Sequence, residues 1–146
     1  MTGLNVTILP EDDPILAQAV VDGGGAVIPL GEQTEGIVWT VPHSPERLGA
    51  LLDAHPRVRW VQLPFAGVDA FIPIFRDSIA WTSAKGAYSE PVAEFALALT
   101  LGALRELPRR ARATEWGDKS GTMLYGLNVL VIGAGGIAQE VIRLIA

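Results

Sequence analysis

The segment VLVIGAGGIA, residues 129–138, joins an apolar, β-branched run to a glycine-rich turn. Residues 127–132 form a largely apolar run, as expected of a central strand in a parallel sheet. Gly133, Gly135 and Ala138 follow in the G-x-G-x-x-G/A spacing. The first glycine permits a tight turn, and the second lets backbone approach a pyrophosphate. The third position must be small so that helix and strand pack closely. A helix is expected from about Gly136, with Ile137, Val141, Ile142 and Ile145 on its apolar stripe. Its first N–H groups and positive dipole end would face the phosphates of a dinucleotide. The turn alone is a weak signal, but here it follows a strand pattern and opens a helix pattern, as the chemistry requires. The bland alternative is a tight strand–helix turn with no ligand. An acidic residue about 20 positions on, which would bind the adenine ribose, falls past residue 146. NAD and NADP therefore stay equally open.

Upstream of this segment, short apolar runs alternate with helix signals. Strands are expected at 6–9, 26–29, 37–41, 58–63 and 79–82. Asp12 or Asp13 suits a helix cap with Pro14 in the first turn, the helix running over 15–21. Ser44, Pro45 and Glu46 open a second helix striped by Leu48, Leu51 and Leu52, and Pro56 closes it. Residues 68–75 form a short, irregular helix interrupted by Pro73. This alternation predicts a parallel α/β sheet with helices on both faces.

Ser89 is expected to cap a long helix that is apolar on every side over 92–104 except at Glu94 and Thr100. Such a helix is expected to be buried all round, against a second domain or a second copy. Glu94, if buried, would require a polar partner. Pro108 breaks or kinks the helix, and a polar helical segment with Arg109, Arg110 and Arg112 is expected over 108–116. Those arginines read as a solvated face. Residues 117–126 carry three glycines and read as a linker.

The chain has 146 residues, of which 49% are hydrophobic and 18% charged, enough to bury a core. Its net charge is -5, and residues 1–104 carry twelve acidic against five basic groups, which argues against nucleic acid. Without cysteine it has no disulfide or thiolate metal site, in keeping with a reducing, cytoplasmic setting. No signal peptide is expected from MTGLNVTILPEDD, and the longest apolar run is too short to cross a membrane.

Taken in order, these pieces resemble the N-terminal part of the D-isomer-specific 2-hydroxyacid dehydrogenases, the family of formate, glycerate and phosphoglycerate dehydrogenases. WVQLPFAGVDAF (60–71), TSAKGAYSEPVAEFALALTLGALRELP (82–108) and YGLNVLVIGAGGIA (125–138) carry the resemblance, which spans essentially the whole chain. It implies a flavodoxin-like parallel-sheet substrate domain over 1–100, an inter-domain helix and linker over 101–126, and the first βα unit of a Rossmann domain, incomplete, over 127–146. It also implies that the backbone N–H groups of Ala66, Gly67 and Val68 bind the carboxylate of a small 2-oxo or 2-hydroxy acid. Gly133, Gly135, Gly136, Ile137 and Ala138 would lie against the pyrophosphate of NAD or NADP. The 92–104 helix would build a homodimer.

The family's catalytic arginine, glutamate and histidine belong to a later part of the Rossmann domain, and no residue here is assigned as catalytic. His43 and His55 read as surface residues. The chain is therefore expected to be a fragment of the oxidoreductase, inactive by itself. A non-catalytic module self-associating through helix 92–104 is the alternative. A different Rossmann enzyme, such as a methyltransferase, fits the Ala-Gly-Val-Asp and Val-Ala-Glu stretches poorly.

Overall fold

The structure is a computed structural model that describes residues 3–146. The chain divides into two compact units, one ending at Lys85 and the other spanning Gly86–Ala146.

The first unit is a five-stranded sheet in the order β2-β1-β3-β4-β5, every neighbouring pair parallel. The strands are β1 (Asn5–Leu9), β2 (Ala26–Val27), β3 (Gly36–Trp39), β4 (Trp60–Gln62) and β5 (Ala80–Thr82). This is the flavodoxin-like order that the family resemblance implies, and its parallel strands are those expected from the alternating pattern. Helix α1 (Pro14–Asp22) links β1 to β2, and α2 (Pro45–Ala54) links β3 to β4.

The two helices cover opposite faces because side chains alternate along a strand. Ile37, Trp39, Val61 and Leu63 pack with Leu48 and Leu52 of α2 and with Phe71. Val6, Ile8 and Val38 meet Leu16, Ala17 and Val20 of α1 on the other side. All four residues of β3 are buried, as a central strand covered on both faces must be. Gly36 at its start is the consequence of close packing, since a Cβ there would lie 2.7 Å from Trp60 Cε3. Residues Asp69–Ile74 form a 3-10 helix containing Pro73, which matches the irregular helix expected there.

Two capping expectations are corrected. Asp13 does cap α1, its carboxylate accepting from Ile15 and Leu16 N–H at 2.8 and 3.0 Å. Ser44 precedes α2 but sits at φ 64°, and its hydroxyl caps nothing. Ser89 is the first residue of its helix rather than the cap, which is Tyr88.

The second unit contains α3 (Ser89–Leu104), α4 (Leu107–Arg110) and α5 (Gly136–Ile145). Helix α3 packs along α5, and the division at Lys85 places it with the later segment. The α3–α4 corner is tied by a polar clasp. Arg110 donates to Arg105 O at 2.9 Å and to the Ser120 carbonyl. Glu106 accepts from Arg109 at 2.7 Å and from the Ser120 hydroxyl at 2.9 Å. Thr122 N–H donates to Leu104 O at 2.7 Å, satisfying a carbonyl at the α3 C-terminus. The polar segment is helical only over Leu107–Arg110, not through residue 116.

Two further expectations fail here. Residues 127–132 form no strand. A strand needs a neighbour to take its N–H and C=O groups, and the described residues of this unit offer none. Leu130 and Ile132 are accordingly 85% and 93% exposed. Helix α3 is also not buried all round: Ala93 is its one buried residue, while Phe95 and Leu99 are 65% and 58% exposed. Its apolar sides outnumber the surfaces that the described residues of this unit provide. Glu94 is likewise exposed, and its charge helps raise Arg143 above the ordinary arginine value. No helix among the described residues is long and apolar enough to cross a membrane.

Candidate functional site

Among the described residues, each unit has a turn of the expected site whose backbone N–H groups are open. In the first unit this is the turn after β4. The carboxyl edge of a parallel sheet is where such turns collect. Leu63 N–H donates to Thr82 O at 2.8 Å and Ala84 N–H to Phe65 O at 3.2 Å, which fixes the chain on either side of the turn. Ala66 and Gly67 are exposed and Val68 half-buried. No acceptor among the described residues takes the N–H of Ala66, Gly67 or Val68. The Val68 carbonyl accepts from Phe71 at 2.8 Å and so turns away into the 3-10 helix. Three successive open donors suit a carboxylate. Asp69 begins that helix and makes no side-chain cap.

In the second unit the corresponding feature is the turn into α5. Gly133 sits at φ 113°, a conformation closed to most side chains. Gly135 is the N-cap with extended backbone (φ -72°, ψ 178°), and α5 begins at Gly136. The first helical bond is Gln139 N–H to Gly135 O at 3.1 Å. The N–H groups of Gly135, Gly136, Ile137 and Ala138 have no acceptor among the described residues. A Cβ at Gly133 or Gly135 would meet nothing within 4 Å, so the backbone there can be approached closely. Gly136 has another reason to lack a side chain: a Cβ would lie 2.6 Å from Ser89 Oγ at the start of α3.

Charge separates α5 from the other long helices. Asp13 caps α1, and α2 and α3 hold Glu46 and Glu90 in their first turns. Helix α5 has no acidic residue in its first turn and no side-chain cap. Its positive end is therefore not compensated by a carboxylate of its own. Further along, Arg143 is raised above the ordinary arginine value by its hydrogen bond to Glu140, with the charges of Glu140, Glu90 and Glu94 adding. The expected residues Gly133, Gly135, Gly136, Ile137 and Ala138 thus share one sharp turn, although the strand expected before it is absent.

Two grooves lie away from these turns. A groove of about 550 Å³ borders β1 and β2, and an apolar one of about 530 Å³ is lined by Leu16, Val20, Val38 and Trp60. Neither groove is lined by residues of the two turns. His43 is exposed, and His55 shares a 2.8 Å hydrogen bond between Nδ1 and Leu51 O, so neither histidine joins a turn. Gln139 was not singled out from the sequence, yet its side-chain amide donates to Ala134 O at 3.1 Å within the α5 turn. A glutamine one position past a fingerprint carries no signal until the turn is folded.

No family model and no curated protein matches the chain. Solved structures do. A D-isomer specific 2-hydroxyacid dehydrogenase family protein from Aeromonas salmonicida subsp. salmonicida A449 superposes with a TM-score of 0.73 at 18% identity, over 98% of this chain and 50% of that one. The corresponding dehydrogenase from Xanthobacter autotrophicus Py2, solved with NADPH and MES, gives a TM-score of 0.70 at 18% identity, over 98% and 50%. A glycerate dehydrogenase related protein from Thermoplasma acidophilum gives 0.66 at 26% identity, over 97% and 50%. The chain spans about half the length of these structures. By fold, this chain corresponds to half of a D-isomer-specific 2-hydroxyacid dehydrogenase.

Proposed function

We propose that this chain is the N-terminal part of an NAD(P)-dependent oxidoreductase that interconverts a small D-2-hydroxy acid and its 2-oxo acid. The observation that carries the proposal is the start of α5, where four open N–H groups meet an uncompensated helix end. The Gly135, Gly136, Ile137 and Ala138 amides receive the pyrophosphate, and Gly133 makes the turn. The Ala66, Gly67 and Val68 amides receive the substrate carboxylate. Bound NAD or NADP supplies the hydride chemistry; the protein supplies orientation and charge. In functional terms residues 1–100 are the substrate domain, 101–126 the connection, and 127–146 the beginning of the dinucleotide-binding domain. A reducing compartment such as the cytoplasm suits a chain without cysteine.

This chain alone is inactive on the proposal, since it holds no arginine, glutamate and histidine set for proton transfer. Backbone amide shifts during titration with NADH and NADPH test the binding half. Changes concentrated on residues 133–138 are expected, and glyoxylate should act on 66–68. Absence of both responses at millimolar ligand overturns the proposal. Turnover of glyoxylate, pyruvate or hydroxypyruvate above background would overturn the inactivity.

Self-association through helix 92–104 is favoured by a separate observation, the exposure of Val92, Phe95 and Leu99. On this proposal the chain is a homodimer. Sedimentation at two protein concentrations decides it, a monomer at both counting against it.

A further inference from the structure

The geometry points to Gln139 as the residue that positions the phosphate-facing amides of the α5 turn, a role that rests on the dinucleotide proposal above. Its Nε2 donates to Ala134 O at 3.1 Å, while its own N–H donates to Gly135 O at the same distance. One residue therefore fixes two successive carbonyls of the turn.

The first consequence concerns direction. A trans peptide is planar, with its C=O and N–H pointing opposite ways. Holding Ala134 O against α5 turns the Gly135 N–H to the other side, where no acceptor among the described residues takes it. The Gln139 hydrogen bond opposes rotation of the 134–135 peptide. Glycine rotates about φ and ψ at little steric cost, and both Gly133 and Gly135 have open space around them.

The second consequence concerns where the helix begins. Ala134 O is the acceptor that Ala138 N–H would use if α5 extended backward by one residue. Gln139 donates to it instead, and Gly135 stays extended at ψ 178°, so the helix does not reach back to this carbonyl. The Ala138 N–H is thereby left for a ligand. Gln139 is a positioning residue on this account, since it acts through the backbone and touches no reacting atom.

The test uses the full chain with Gln139→Met and Gln139→Ala. Gln139 is exposed and both replacements favour helix, so the variants fold. Amide exchange, normalised to intrinsic rates, is read at Ala138. Losing a competing hydrogen bond of ordinary strength should raise its protection about fivefold. A residue that merely stabilised the fold would lower protection on removal, so a rise at this one amide is diagnostic. NADPH titration of the same variants should show about fivefold weaker binding than wild type. Unchanged or lowered protection at Ala138 in both variants overturns the role of Gln139. Failure of wild type to bind NADH or NADPH overturns the dinucleotide proposal instead, and the exchange measurement still decides whether Gln139 holds the turn.

Discussion

Replacing Gly136 by alanine introduces a methyl group 2.6 Å from Ser89 Oγ and 3.5 Å from Ser89 Cβ. The first distance is roughly 0.8 Å inside ordinary contact, and the second is an ordinary one. The hydroxyl alone is in the way. Either α5 moves off α3 or Ser89 leaves its rotamer. Overpacking of this kind costs about 1–3 kcal/mol. Alanine over glycine in a helix returns up to about 1 kcal/mol. Gly136→Ala should therefore destabilise the second unit by about 1 kcal/mol. In a Ser89→Ala background the obstruction is gone and only the helix preference remains, so the same substitution should be neutral or stabilising. The coupling between the two positions should reach at least about 1 kcal/mol, well above the scatter expected of independent sites. Urea unfolding followed by far-ultraviolet circular dichroism reads it through the α3 and α5 helices. Equal effects of Gly136→Ala in both backgrounds would refute the claim that Ser89 sets the approach of α5 to α3.

Two further outcomes follow from the geometry. Gly36→Ala should destabilise the first unit by about 2 kcal/mol, because the added Cβ meets the Trp60 ring at 2.7 Å and Val6 Cγ2 at 3.4 Å. The indole cannot swing aside freely, being tied to Thr82 Oγ1 at 2.9 Å; a loss of less than about 0.5 kcal/mol, measured by tryptophan fluorescence in urea, would count against this packing. Glu106 is held below the ordinary glutamate value by the Ser120 hydroxyl and by Arg109. A lowered carboxylate contributes while ionised, so the clasp should persist as pH falls through the ordinary glutamate range. It should open only as pH passes the lowered value, seen as loss of the normalised exchange protection of Thr122. Opening at the ordinary glutamate pH would contradict the assignment, and high salt should weaken the dependence because the group is exposed.

The alternation of short apolar runs with proline- and glycine-marked helix signals carries the parallel α/β sheet by itself. Hydrophobic period and chain-breaking residues act within a few neighbours, so Asp13 capping α1 and Pro73 disrupting the 69–74 helix need nothing distant. The glycine turn was legible for the same reason, since Gly133 at φ 113° is a local steric requirement. Pairing and burial are not local. The apolar run at 127–132 has the composition of a strand but lacks a neighbour in its unit, and so forms none. Helix α3 has the composition of a buried helix, yet two of its large apolar side chains, Phe95 and Leu99, face solvent. Composition states what a segment can bury, not what is there to bury it. The hold of Gln139 on Ala134 O and the contact of Gly136 with Ser89 likewise arise only once separate stretches meet. The sequence alone determined the order of elements in the first unit and the sharp turn into α5. Tertiary structure decided which amides stay open, because that depends on which carbonyls other residues have already taken.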